Sequence, residues 1–156
     1  MKRKLKLRPI TDKDKPFLHG LYATTREDEM KVVPWSEDEK TQFVKMQFEA
    51  QHTHYHRTYI GANFDIIRLN GKDIGRLYVH RKKDELRLME ITLAKKYRNQ
   101  GIGTQIIEEL IQEAKKKQVF MRLYVEQYNP AFQLYSRFGF KVVGENGVYK
   151  HMELAP

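Results

Sequence analysis

The stretch Arg98-Asn99-Gln100-Gly101-Ile102-Gly103-Thr104 decides how this chain is read. Ahead of it, Glu85-Leu86-Arg87-Leu88-Met89-Glu90-Ile91-Thr92-Leu93 reads as a strand. Behind it, Ile106, Ile107, Leu110, Ile111 and Ala114 recur at helical spacing and form one apolar stripe. The loop therefore delivers the free amides of a helix N-terminus, with the helix dipole behind them, and that suits an anion. Gly101 and Gly103 let the backbone come close to a phosphate, and Arg98 adds a forked cation. A tight strand-to-helix turn that binds nothing is the alternative. Two other phosphate loops fail: a dinucleotide fingerprint needs a third glycine where Ile106 stands, and a Walker loop needs a lysine between Gly103 and Thr104.

Working outward, the spacing predicts a short helix from Thr11, an irregular stretch from Arg26 to Trp35, and a break at Val33-Pro34. Ser36-Glu37-Asp38-Glu39 is a capping box that opens a helix running to about His56. Phe64 to Leu69 and Asp73 to His80 are two strands joined by the hairpin turn Asn70-Gly71. Phe120 to Val125 is a strand, and Asn129-Pro130 opens another helix. Phe140 to Val143 and Val148 to Glu153 form a last hairpin around Glu145-Asn146-Gly147. With a first strand at Leu5 to Ile10, this order predicts one domain over residues 1–156, of α/β type: a mixed sheet with helices on both faces.

A second half-motif follows the loop: Asn129-Pro130-Ala131-Phe132, then Leu134-Tyr135, then Gly139-Phe140. Together with Arg98-x-x-Gly101-x-Gly103 it resembles the GNAT superfamily of N-acetyltransferases, with Lys95 where many members carry proline. The resemblance implies a mixed central sheet of about seven strands and a cleft for acetyl-CoA where two parallel strands splay apart. By position those strands are Met89–Leu93 and Phe120–Val125. It also implies that the pantetheine arm pairs along Ile91, Thr92 and Leu93. The pyrophosphate would lie on the amides of Asn99, Gln100, Gly101, Ile102, Gly103 and Thr104. Asn129, besides capping a helix, would touch a pantetheine amide, with Phe132 beside it.

For chemistry, the resemblance implies that Tyr135 lies near the sulfur as general acid, against the plain reading of an aromatic packed beside Phe132 and Phe138. Glu90 is the first choice of base, with an ion-paired strand residue as the other reading and a water chain as a substitute. A backbone amide at an expected bulge near Ile91 would polarise the carbonyl. The resemblance sets acceptor recognition on the early helices and the opposite sheet face, where Trp35, Gln47, Gln51, His54, Tyr55 and Arg76 stand. Arg76 could hold a substrate carboxylate, or be an ordinary surface arginine. His52, His54 and His56 lack a third ligand at a recognised spacing, so no metal is expected.

Composition bounds these readings. The chain has 156 residues, 40% hydrophobic and 31% charged, which argues against disorder. With 0 cysteines, disulfide scaffolds, thiolate metal sites and thiol catalysis are excluded. The charge of +9 points to an anionic partner. The basic residues are scattered rather than striped, so a nucleic-acid partner is not expected, and acetyl-CoA takes that role. The basic start lacks an apolar run, and no stretch is long enough to cross a membrane, so a cytoplasmic protein is expected. The function expected is transfer of acetyl from acetyl-CoA to a primary amine of a small molecule or peptide, by direct attack in a ternary complex. The alternative is a non-catalytic acyl-CoA-binding sensor. A homodimer stays open.

Overall fold

The computed structural model describes residues 2–156. Seven strands form one sheet in the order β1-β2-β3-β4-β5-β7-β6. They are β1 (Leu5–Pro9), β2 (Asn63–Leu69), β3 (Lys72–Arg81), β4 (Glu85–Leu93), β5 (Phe120–Glu126), β6 (Lys141–Asn146) and β7 (Tyr149–Leu154). The helices are α1 (Lys15–Lys31), α2 (Glu37–Thr58), α3 (Ile102–Lys117) and α4 (Ala131–Arg137). Every neighbouring pair of strands is antiparallel except β4 and β5.

Each sheet face carries its own core. Leu18 and Tyr22 of α1 and Val44 and Phe48 of α2 close on Ile66 of β2. On the other face, the Ile102–Ile106–Leu110 stripe of α3 and Tyr135 of α4 close on Leu77, Leu88 and Leu123. Each of these large aliphatic side chains contributes about 1.5–3 kcal/mol by leaving water. The anticipated mixed sheet with helices on both faces is therefore what the chain builds.

Two local expectations change: the first helix, expected to be short, runs 17 residues, and the irregular stretch shrinks accordingly. Arg26 to Lys31 is helix, not irregular chain, because α1 runs unbroken from Lys15 to Lys31. Its two adjacent threonines look unfavourable, yet Thr24 and Thr25 turn their hydroxyls back onto the carbonyls of Leu21 and Tyr22, each at 2.6 Å. Pairing of Arg26 with Glu29 at 2.8 Å supports the next turn. The capping box of α2 forms as expected: Ser36 Oγ accepts from Glu39 N at 3.2 Å and Glu39 accepts from Ser36 N at 3.1 Å.

The parallel pair fixes the site. β4 and β5 pair only from Glu85↔Phe120 to Leu88↔Leu123, after which they part. The opening therefore starts at Met89 and Tyr124, and Phe120 to Leu123 of the expected splayed strand remain paired. The bulge expected near Ile91 is at Met89, which is skipped between the pairs Tyr78↔Glu90 and Val79↔Leu88. That extra residue flips the side-chain alternation, so Leu88 and Ile91 both pack on the α3 core while Glu90 and Thr92 point to the α2 face. Gly75 holds β3 tight against this segment: a Cβ there would fall on the carbonyl oxygen of Thr92 and stand 3.2 Å from Leu93 Cα.

Candidate active site at the open seam

Three groups of residues surround the seam between β4 and β5. The first is the loop into α3. Asn99 and Gly101 adopt φ of 59° and 82°, and this left-handed pair curls the chain so that α3 starts at Ile102 with no side-chain cap. Its first amides are thus left to a ligand. Gly103 has an ordinary φ, and a Cβ built on it meets nothing within 4 Å. Nothing in the fold asks for glycine there, whereas a phosphate seated on the loop would. The residues at 99–104 therefore fit a pyrophosphate.

Arg98, the expected cation, has its guanidinium engaged elsewhere. Nε donates to Leu93 O at 2.8 Å and Nη2 to Thr24 Oγ1 at 2.6 Å, which ties the end of β4 to α1. Another guanidinium approaches the loop instead. Arg3 Nη1 lies 3.9 Å from the position of a Cβ on Gly101. Gln105, buried at the start of α3, pins this arm by accepting from Arg3 N at 3.0 Å and donating to Arg3 O at 2.8 Å. Sequence reasoning missed Arg3 and Gln105. A polar side chain one turn from Ile102, beside the apolar stripe of α3, was the available signal.

The second group is the Glu90 cluster on the α2 face. Tyr55 donates to Glu90 Oε2 at 3.2 Å, and Gln51 Nε2 lies 3.5 Å from the same oxygen. Thr92 donates to Oε1 at 3.3 Å, and Arg76 Nη2 stands 3.7 Å from Oε2 and 3.1 Å from Gln51 Oε1. Arg76 is 1% exposed, so the surface-arginine reading does not hold. Its Nη2 faces Gln51 and Glu90 of the protein itself, not an open pocket for a substrate carboxylate. Burial, then the charge of Glu90, pushes the Tyr55 phenol well above its ordinary value, so Tyr55 stays a donor. Three acceptor candidates lie outside the cluster, one being Gln47 of α2, whose buried Oε1 finds no hydrogen-bond partner among the described residues. His54 is exposed and bonds Thr58 Oγ1 at 3.3 Å, and Trp35 sits in the α1–α2 connection with its ring edge-on to Phe43 at 5.2 Å.

The third group is α4. Tyr135 is buried, and the Phe140 ring lies tilted against it at 58° with ring centroids 5.6 Å apart. Burial pushes its phenol above the usual range, and the charge of Glu90 adds to this, so the two groups feel each other across the seam. Asn129 Oδ1 accepts from Ala131 N at 2.9 Å, but the cap position falls on Pro130, one residue later than expected, and α4 starts at Ala131. Ile91, Leu93 and Phe132 are half-buried against the α3 core, along the seam. A separate cleft of about 310 Å³ between α1 and α2, lined by His19, Ala23, Met30, Lys40 and Val44, contains neither Glu90 nor Tyr135. Among the described residues no three His, Asp or Glu side chains converge as a metal site would need. No helix among them is long and apolar enough to cross a membrane.

Comparison with known proteins agrees with this geometry. The family model of the acetyltransferase (GNAT) domain matches residues 46–142. The chain is similar to the PaiA N-acetyltransferase of Thermoplasma acidophilum solved with coenzyme A, at 19% identity and TM-score 0.72, over 98% of this chain and 99% of that one. It is also similar to an acetyltransferase of Elizabethkingia anophelis with acetyl-CoA bound, at 17% identity and TM-score 0.59, over 99% and 100% of the two chains. A third likeness is to an alanine N-acetyltransferase of a ribosomal protein in Escherichia coli, at 20% identity and TM-score 0.65, over 97% and 94%. No curated protein sequence is significantly similar to the chain.

Proposed function

Because the chain belongs to the GNAT acetyltransferase family and is an acyltransferase that uses acetyl-CoA, we propose that it acetylates a primary amine of a small molecule or peptide by direct attack in a ternary complex. The observation that carries this reading is the early end of β4–β5 pairing at Leu88↔Leu123, with Glu90 on one face of the opening and Tyr135 on the other. Acetyl-CoA supplies the activated acyl group. The amides of Asn99 to Thr104 hold its phosphates, with Arg3 as the nearby guanidinium. The free edge of β4 from Ile91 to Leu93 pairs with the pantetheine arm, and Asn129 and Phe132 border it.

Glu90 accepts a proton from the acceptor ammonium, which frees the nitrogen lone pair. As the C–N bond forms and the C–S bond breaks, backbone N–H groups at the Met89 bulge stabilise the carbonyl oxygen. Tyr135, kept protonated by burial, gives its phenolic proton to the departing sulfur, and the second proton on the acylated nitrogen passes through water to restore the phenol. The likeness to a ribosomal-protein alanine N-acetyltransferase supports a peptide amine among the acceptors. The test is calorimetry with acetyl-CoA, then thiol release over a panel of amines and short peptides, with Glu90→Gln alongside. We expect binding and turnover, with Glu90→Gln slowed roughly 100-fold. Absence of acetyl-CoA binding sinks the reading. Binding without turnover on any amine favours the sensor.

A further inference from the structure

We infer that Arg76 is a positioning residue for acetyl transfer: it anchors one oxygen of Glu90, partly through Gln51, and so leaves the other oxygen to take the proton. The inference rests on Glu90 as the proton acceptor. Burying a guanidinium is costly unless charge and hydrogen bonds meet it closely. Arg76 has little of that compensation. Nη2 reaches Gln51 Oε1 at 3.1 Å and Glu90 Oε2 at 3.7 Å, the Tyr78 ring lies 5.0 Å away, and Nε has no partner. By contrast Arg8, which braces the fold, makes two bonds to Asp14 at 2.8 and 2.9 Å and one to Asp73 at 2.9 Å. The Arg76 contacts make poor sense as a stabilising pair.

They make better sense as a way of holding Glu90. Because Gln51 Oε1 faces Arg76, its Nε2 must face Glu90, so the cation fixes the amide and the amide approaches the carboxylate at 3.5 Å. Oε2 then has Arg76, Gln51 and Tyr55 around it, while Oε1 has only the Thr92 hydroxyl at 3.3 Å. Oε2 thus has three donor groups within 3.7 Å. Oε1 is the oxygen with a lone pair left for an acceptor proton. Arg76 itself, on β3 and 1% exposed, has no path to substrate.

A double-mutant cycle tests this. Rates are measured for the wild type, Arg76→Met, Glu90→Gln and the pair, with an acceptor that the wild type acetylates. We expect Arg76→Met to lower kcat roughly 10- to 100-fold, with the Kd for acetyl-CoA unchanged. In the Glu90→Gln background the same substitution should cost less than about 2-fold, because the group it acts through is gone. Ethylguanidinium should restore rate to Arg76→Ala only while Glu90 is present. An equal cost in both backgrounds overturns the inference and makes Arg76 merely structural. A wild-type rate from Glu90→Gln overturns the reading of Glu90 and the inference with it. Arg76→Lys keeps a cation at the site and carries the cycle if Arg76→Met does not fold.

Discussion

Replacing Gly103 with alanine should move stability and ligand affinity in opposite directions. Gly103 is the second residue of α3, its φ is not in the left-handed region, and an added Cβ meets no atom within 4 Å. Alanine there lowers the entropy of the unfolded chain and suits a helix, which is worth up to about 1 kcal/mol. In a domain of 156 residues that raises Tm by roughly 1–3 °C. The open space in front of Gly103 is where a phosphate must approach the amides, and a methyl group intrudes on it. Overpacking of this kind costs about 1–3 kcal/mol, or roughly 5- to 150-fold in Kd. Calorimetry with coenzyme A and a melting curve on the same sample read both quantities, and pantetheine, which lacks the phosphates, should bind as before. Unchanged affinity for coenzyme A in Gly103→Ala would refute the phosphate loop. A lowered Tm would show that the fold itself needs this glycine. Gly101, at φ 82°, is the contrast, since alanine there strains the backbone regardless of ligand.

Tyr135→Phe keeps the ring and removes the proton, so kcat should fall roughly 100-fold or more with the Kd for acetyl-CoA unchanged; a wild-type kcat removes Tyr135 as the acid. Arg3→Gln should weaken coenzyme A by about 3- to 30-fold and leave pantetheine untouched, and an equal Kd for coenzyme A would return Arg3 to the surface. Hydrogen bonding from Arg8 holds the Asp14 carboxyl down at about 2, below its usual 3.8, against the opposing effect of burial. Its contribution is therefore full above about pH 4 and lost as pH falls toward 2, an increment of roughly 1–2 kcal/mol. Denaturant titrations across that window should show a steeper loss of stability in the wild type than in Asp14→Asn, and parallel curves would contradict it.

Much of this architecture was readable because local signals were strong and agreed. The Ser36–Glu39 box, the Asn70-Gly71 turn and the apolar stripe of α3 each act over a few residues, and each formed where its pattern stands. The bulge at Met89 was misplaced by two residues because it depends on how β3 and β4 register, which no local pattern encodes. Arg76 was misjudged for a similar reason. A strand position shows which face a side chain takes, but not that α2 brings Gln51 and Tyr55 down over it. Arg3 and Gln105 meet across 102 positions of chain, so only the folded arrangement joins them. Within the site, Gln51, Tyr55 and Glu90 were named from the sequence but not their mutual contacts, and Arg98 turns its guanidinium to Leu93 and Thr24, which its motif does not encode.

The seam has a consequence for how the two halves of the sheet are held together. From Met89 on, β4 and β5 share no ladder, and α1 spans the gap in its place. On one bank Glu27 meets Lys95 and Thr24 meets Arg98, while on the other Arg26 stands 3.6 Å from Glu126. On this face the two banks are thus joined by side chains along one helix, as a tie-beam joins two rafters, while α3 packs on both strands from the other face. Strand hydrogen bonds come in fixed increments of register, but a helix on ionic struts can give by fractions of an ångström. The ties that bridge the two banks are therefore side-chain contacts of α1, separable from the strand hydrogen bonds that hold each half of the sheet.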